Sequence, residues 1–124
     1  MSRLLSKAFD ASGVIPPYTF AAFGGSDGVV TVANATSNIV GITPEVGAAD
    51  GQRVDVTMMG EEYVTAGAAF TAGSQLVPNA TGQAIAAAPA HAVVEPTYAV
   101  ALESATAAGD VVRVVLRPGV VIGA

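Results

Sequence analysis

The stretch ALESATAAGDVVRVVLRPG, residues 101–119, runs from an Ala-rich polar lead-in through a Gly-Asp turn into a valine-rich alternating strand. A looser copy, ITPEVGAADGQRVDVTMMG, occupies residues 42–60. Sliding the chain by 58 residues sets Gly51 on Gly109, Val54 on Val112, Val56 on Val114, Glu45 on Glu103 and Ala49 on Ala107. The matches fall on a turn glycine and on alternate strand positions, where a repeated strand–turn–strand element must agree. Two such units predict an all-β fold: a small pseudo-symmetric β-barrel or β-sandwich of short strands.

Composition supports that class. Val occurs 19 times against 5 each for Leu and Ile, and Thr adds 10 further β-branched residues. Such side chains are stiff at χ1 and fit pleated surfaces, whereas a helical chain would lean on Leu, Glu and Lys. The 14 Gly and 7 Pro act as turn punctuation. About a fifth of the 124 residues are Ala, so one modest core is all that this length and composition can fill.

Strands are expected at VVTVA (29–33), IVGIT (39–43), RVDVTM (53–58), EEYVTA (61–66), QLVP (75–78), QAIA (83–86), TYAVALES (97–104) and DVVRVVLRP (110–118). Turn clusters separate them at GGSDG, NATSN, GAADGQ and NATG. A short helical turn over 103–108, ended by Gly109, is also compatible with the pattern. The proline-framed segment APAHAVVEP (88–96) reads as a loop or irregular edge.

Residues 1–23 differ from the rest. They hold four of the seven aromatics, and Pro16-Pro17 bars helix and favours extended chain. Two readings follow: a first strand that closes the core, or an arm whose aromatics anchor on a partner. The domain boundaries are accordingly an arm or first strand at 1–23 and a single β domain at 24–124. On the arm reading the contact residues are Phe9, Ile15, Pro16, Pro17, Tyr18, Phe20 and Phe23.

Charge bounds the partners. Charged residues make up 12% of the chain against about 25% in ordinary soluble domains. A surface so short of ionic cover is suited to lying against other protein. A net charge of −5 with only five cations offers no basic stripe for phosphates, so neither nucleic acid nor anionic membrane is an expected partner. No apolar run reaches the roughly 18 residues of a membrane span, and MSRLLSKAF lacks the apolar stretch of a signal peptide. There is no cysteine for a disulfide or a thiolate metal site.

Catalytic groups are scarce. The one histidine, His91, has Glu95 as its only nearby carboxylate and reads as a solvated loop residue, so no metal or cofactor is expected. Glu61 and Glu62 are adjacent in a strand, point to opposite faces and read as solvent-facing charge at a strand start. GGSDG lacks the strand–GxGxxG–helix context of a nucleotide fold. A lipoyl- or biotinyl-type carrier needs a lysine on a hairpin tip, and the only lysine is Lys7. The chain is therefore not expected to be an enzyme.

Four motifs occur in order: GITP at 41–44, GQRVDVTMMGEEYV at 51–64, TAGSQLVPNATGQAI at 71–85 and AVALESATAAGDVVRVVLRPG at 99–119. Together they resemble the small capsid cement, or head decoration, proteins of tailed bacteriophages. The resemblance implies a structural protein, made in the host cytoplasm, that adds to the outer surface of an assembled phage head. Its implied partners are the major capsid protein and other copies of itself, as a homotrimer bridging neighbouring capsomers and stabilising the shell. It gives no residue-level site, so the seven contact candidates rest on the arm reading alone. An alternative is a carbohydrate- or receptor-binding head appendage, a role that calls for exposed aromatics where this chain has no Trp and three Tyr.

Overall fold

The computed structural model describes residues 3–34 and 38–123. Among the described residues nine strands are present: β1 (Arg3–Ala11), β2 (Phe20–Phe23), β3 (Val29–Val32), β4 (Ile39–Ile42), β5 (Arg53–Thr65), β6 (Gln75–Pro78), β7 (Ala84–Ala86), β8 (Val94–Ala101) and β9 (Val111–Ile122). Among the described residues there is no helix. The expected NATS turn falls largely on Ala35–Ser37, outside the described residues.

The strands form one sheet in the order β1-β3-β2-β4-β5-β9-β8-β6-β7, and an added β1–β5 pairing closes the first five into a barrel. β1 runs antiparallel to β5 from Arg3 opposite Gly60 to Asp10 opposite Arg53. At its far end β1 pairs in parallel with β3, Asp10 with Val29 and Ala11 with Val30. The first strand thus closes the core, and residues 3–23 supply two staves of the barrel. No arm stands off it among the described residues.

The repeat expected from the sequence is a duplication of this whole ring. β5 begins at Arg53 and β9 at Val111, the same 58-residue step as the sequence matches. In the first unit Phe20 pairs with Ile42 and Ala21 with Gly41. In the second, Gln75 pairs with Val100 and Leu76 with Ala99, in the same register. Gly51 N–H donates to the Ala11 carbonyl at 2.8 Å, and Gly109 N–H to the Ala66 carbonyl at 2.8 Å. Both glycines sit at positive φ, +80° and +93°, where a side chain would be strained. The second ring, β5-β9-β8-β6-β7, is closed only by a single parallel bridge between Ala66 and Ala84. β5 is shared: its first half ends one unit and its second half opens the next.

The two units own two cores. Phe9, Ala11, Ile15, Ala21, Val30, Val54 and Val56 fill the first ring. Val64, Ala66, Phe70, Leu76, Ala84, Val112 and Val114 fill the second, and the outer face of β2 and β4, through Phe20, Ala22 and Ile42, packs onto them. Phe20 and Ile42 are therefore the seam between the units.

Three local expectations are corrected. Residues 53–58 and 61–66 are one continuous strand of 13 residues, with Gly60 at φ +93° taking up the irregularity opposite β1. Pro96 lies within β8, opposite Val120, where β8 has β9 on one side only and its missing N–H breaks no second ladder. Residues 103–108 form a turn instead of a helix. The Asp110 carboxylate accepts hydrogen bonds from Thr106 N–H at 2.8 Å, Thr106 Oγ1–H at 2.9 Å and Ala107 N–H at 3.3 Å. Those donors, the Thr106 N–H foremost, hold its pKa below the usual 3.8.

Candidate functional site

The seven contact candidates divide by burial. Phe9, Ile15 and Phe20 are core residues, Phe20 at 0% exposure, so in this fold none of the three presents its side chain to a partner. The reason is β1 and β2 themselves: alternation turns Phe9 into the first ring and Phe20 into the seam. Pro16 and Pro17 are exposed and Tyr18 half-buried on the turn that follows Ile15. Phe23 is 58% exposed but sits at the other end of β2, roughly 10 Å along the strand from Phe20. It does not join Pro16–Tyr18.

That turn is held from below. Thr19 Oγ1–H lies within hydrogen-bond reach of both the Pro16 carbonyl, at 2.9 Å, and the Pro17 carbonyl, at 3.0 Å. Thr43 Oγ1–H likewise reaches the Pro16 carbonyl at 2.9 Å and the Thr19 carbonyl at 3.2 Å. Both threonines are buried, so their hydroxyls find partners in the very backbone they rigidify. On the far side the chain crosses at Gly47, where an added Cβ would strike the Ile15 carbonyl and lie 2.9 Å from Pro17 N. Val46, the residue before that crossing, is itself exposed. Together with exposed Val14, the result is an apolar ridge on a hydrogen-bonded turn, flanked by the charges of Glu45, Arg53 and Asp55, which line a pocket with Val46.

Tyr18 is the unusual residue in it. Its φ is +54°, a left-handed conformation that costs an L-residue about 1–2 kcal/mol. The second unit uses Gly73, at φ +91°, for the same hydrogen bond: Tyr18 N–H to the Thr43 carbonyl, Gly73 N–H to the Ala101 carbonyl. A bulky aromatic thus stands where the repeat tolerates the unstrained residue. Its ring meets Tyr63 edge-on, 5.9 Å between centroids, and the Arg113 guanidinium lies 5.9 Å over the Tyr63 ring. The Arg113 pKa is raised, chiefly by its interaction with the Tyr63 hydroxyl, so this end of the ridge carries a fixed positive charge.

Sequence reasoning missed the other polar centre. Glu62 is fully buried, contrary to its reading as solvent-facing charge. Arg3 grips it with two nitrogens, Nε at 2.7 Å from Oε2 and Nη2 at 2.9 Å from Oε1. Thr57 Oγ1–H donates to Oε2 at 2.8 Å and Tyr63 N–H to Oε1 at 2.9 Å. Arg3 also reaches the exposed Glu45 at 3.1 Å. Glu62 heads the causes that raise the arginine's pKa, while the Glu45 carboxyl is lowered first by its own backbone N–H and then by Arg3. The signal was present: the inward frame Val54, Val56 continues by twos through Gly60 to Glu62 and Val64. The partner, 59 residues away, was not visible. The cluster is a clamp that fastens β1 to β5.

His91 is exposed in a bridge to Gly123, and among the described residues no group of three His, Cys, Asp or Glu side chains converges to hold a metal. What the arrangement offers is a shape: a small duplicated β-barrel with an apolar ridge at the Pro16–Tyr18 turn.

A family model described as phage cement protein matches residues 13–116. The chain belongs to the phage cement protein family, and is a structural, phage-head-associated protein. The family is not an enzyme class. No curated protein matches the sequence. Among solved structures, the crystal structure of the N base of head fiber gp8.5 in bacteriophage phi29 is similar in fold. Its TM-score is 0.66 at 19% identity, over 91% of this chain and 93% of that one. The ordered motif set at 41–119 lies almost wholly within the matched residues.

Proposed function

We propose that this protein binds the outer surface of an assembled phage head and stabilises it, acting as a homotrimer that bridges neighbouring copies of the major capsid protein. The contact is made by the ridge of Pro16, Pro17 and Tyr18, with Phe23 engaging separately at the end of β2. The observation that carries this reading is Tyr18: the fold tolerates backbone strain at an exposed apolar turn where its own repeat has glycine. Strain kept at a surface is a pointer to function, because stability alone would remove it.

The mechanism is linkage. A protein that binds only the assembled lattice stabilises that lattice by mass action. Three contacts joined in one trimer convert modest affinity per subunit into tight attachment, and closed cyclic symmetry stops further growth. A charge-poor surface suits such packing.

Deleting the N-terminal segment would remove β1 and open the barrel, so point substitution is the better test. Tyr18→Gly adopts the backbone of Gly73 without strain and is expected to keep the melting temperature within a few degrees of wild type. Its retention on purified heads during sedimentation should fall at least tenfold, the size of a lost aromatic anchor. Equal retention of Tyr18→Gly and wild type would remove the ridge from the contact.

A further inference from the structure

The sheet forks at Leu116. β5 pairs with β9 from Thr65–Val111 to Gly60–Leu116 and no further. Beyond that point β5 belongs to the first ring, with Leu5 opposite Met59 and Ser6 opposite Thr57, while β9 runs on beside β8. β4 parts from β5 as well, since the ladder between them is the single pair Ile42–Thr57. Between Thr97–Gly119 and Ala99–Leu116, β8 advances two residues and β9 three, so β9 bulges at Arg117-Pro118. A bulge bends its strand and re-aims the side chains it carries.

The separating strands leave a cleft of about 190 Å³, lined by Met58 and Met59 from β5 and by Leu116, Arg117 and Pro118 from β9. Tyr98 and Ile39 line it too, and the lining joins the two cores: Met58 packs on the first, Ile39, Tyr98 and Leu116 on the second. Aromatic residues, Met and Arg are the side chains that protein contact surfaces concentrate. Met is unbranched and polarisable, so it adapts to an apolar group seated against it. The cleft is smaller than the ~300 Å³ at which pockets for whole small molecules begin, and suits one large side chain. Charge indicates what stands beside that side chain. Arg3 is held by Glu62 and Glu45, Arg53 by Asp10, and Arg113 lies over Tyr63. Arg117 is exposed and forms no ion pair among the described residues, although the sequence has ten Asp and Glu against five Lys and Arg. A guanidinium left unpaired on the rim of an apolar cleft is complementary to a carboxylate.

We infer that this fork is a docking pocket for a partner-protein segment that presents one large apolar side chain beside a carboxylate. The apolar group seats between Met58, Met59 and Leu116, and Arg117 meets the carboxylate. The inference rests on the head-binding reading above for the kind of partner, but its test uses no phage heads, so the two can fail separately. The full chain, labelled in its methionine methyl groups, is titrated by NMR with N-acetylphenylalanine, which carries one ring beside one carboxylate. The Met58 and Met59 signals are expected to shift along a saturable curve. N-acetylphenylalanine amide, which lacks the charge, should bind about fivefold more weakly, the upper end for a solvent-exposed ion pair. Acetate, which lacks the ring, should leave both signals in place. Arg117→Gln should lose the same factor of about five with its melting temperature unchanged. Lys7→Gln and Tyr18→Gly, changed outside the pocket, should bind the probe as wild type does. Methionine signals that do not move, equal binding of the amide, or a loss in Lys7→Gln as large as in Arg117→Gln would each overturn the assignment.

Discussion

Arg3→Met is expected to destabilise the fold by about 2–4 kcal/mol, because it leaves the Glu62 carboxylate buried without its counter-charge. The lower part of the range for a broken buried pair applies, since the Arg3 side chain is 36% exposed and water can partly take its place. Thr57 and the Tyr63 N–H would still hold one oxygen each, but neither replaces the charge of the guanidinium. Adding Glu62→Leu to Arg3→Met should restore most of the loss, because the buried charge then goes with its partner. Urea denaturation of the two single variants and the double variant gives the coupling. A clamp predicts strong non-additivity. If Arg3→Met unfolds at the same denaturant concentration as wild type, β1 is not held by this pair.

Phe20→Ala and Phe23→Ala should behave as opposites. Phe20 is fully buried between the two units, and its truncation should cost about 3–5 kcal/mol, felt by both cores at once. Phe23, three residues on and largely exposed, should change stability by no more than about 0.5 kcal/mol. In head binding the order reverses: Phe23→Ala weakens attachment with the fold intact, while Phe20→Ala acts only through stability. Thermal melting alongside sedimentation with heads separates the two. Equal stability of the two variants would contradict the placement of Phe20 at the seam.

The sequence carries the strands better than the site. Val54, Val56, Val112 and Val114 announce the two closing strands by alternation, and Gly51 and Gly109 announce the turns before them. Five identities at a 58-residue step proved to be the visible part of a duplicated ring, because only turn glycines and inward positions must agree for two rings to share a register. Where local pattern ran short, the cause was long-range pairing. Phe9, Ile15 and Phe20 sit in an aromatic, proline-marked stretch that looks like an anchor. What makes them core is pairing more than twenty residues away: Phe9 with β5, Phe20 with β4 and Ile15 with Ala48. Glu62 was misread because its neutralising partner belongs to β1. The strain at Tyr18 is a backbone property that no residue-type pattern encodes, and it emerged only beside Gly73.

The most direct measurement is the temperature at which phage heads lacking this protein release their DNA, before and after saturation with the purified chain. Binding to the assembled lattice alone predicts a clear rise in rupture temperature that grows with free protein concentration. It also predicts saturation at a fixed number of copies per head. Heads that bind no protein, or bind it and rupture at the same temperature, would contradict the account.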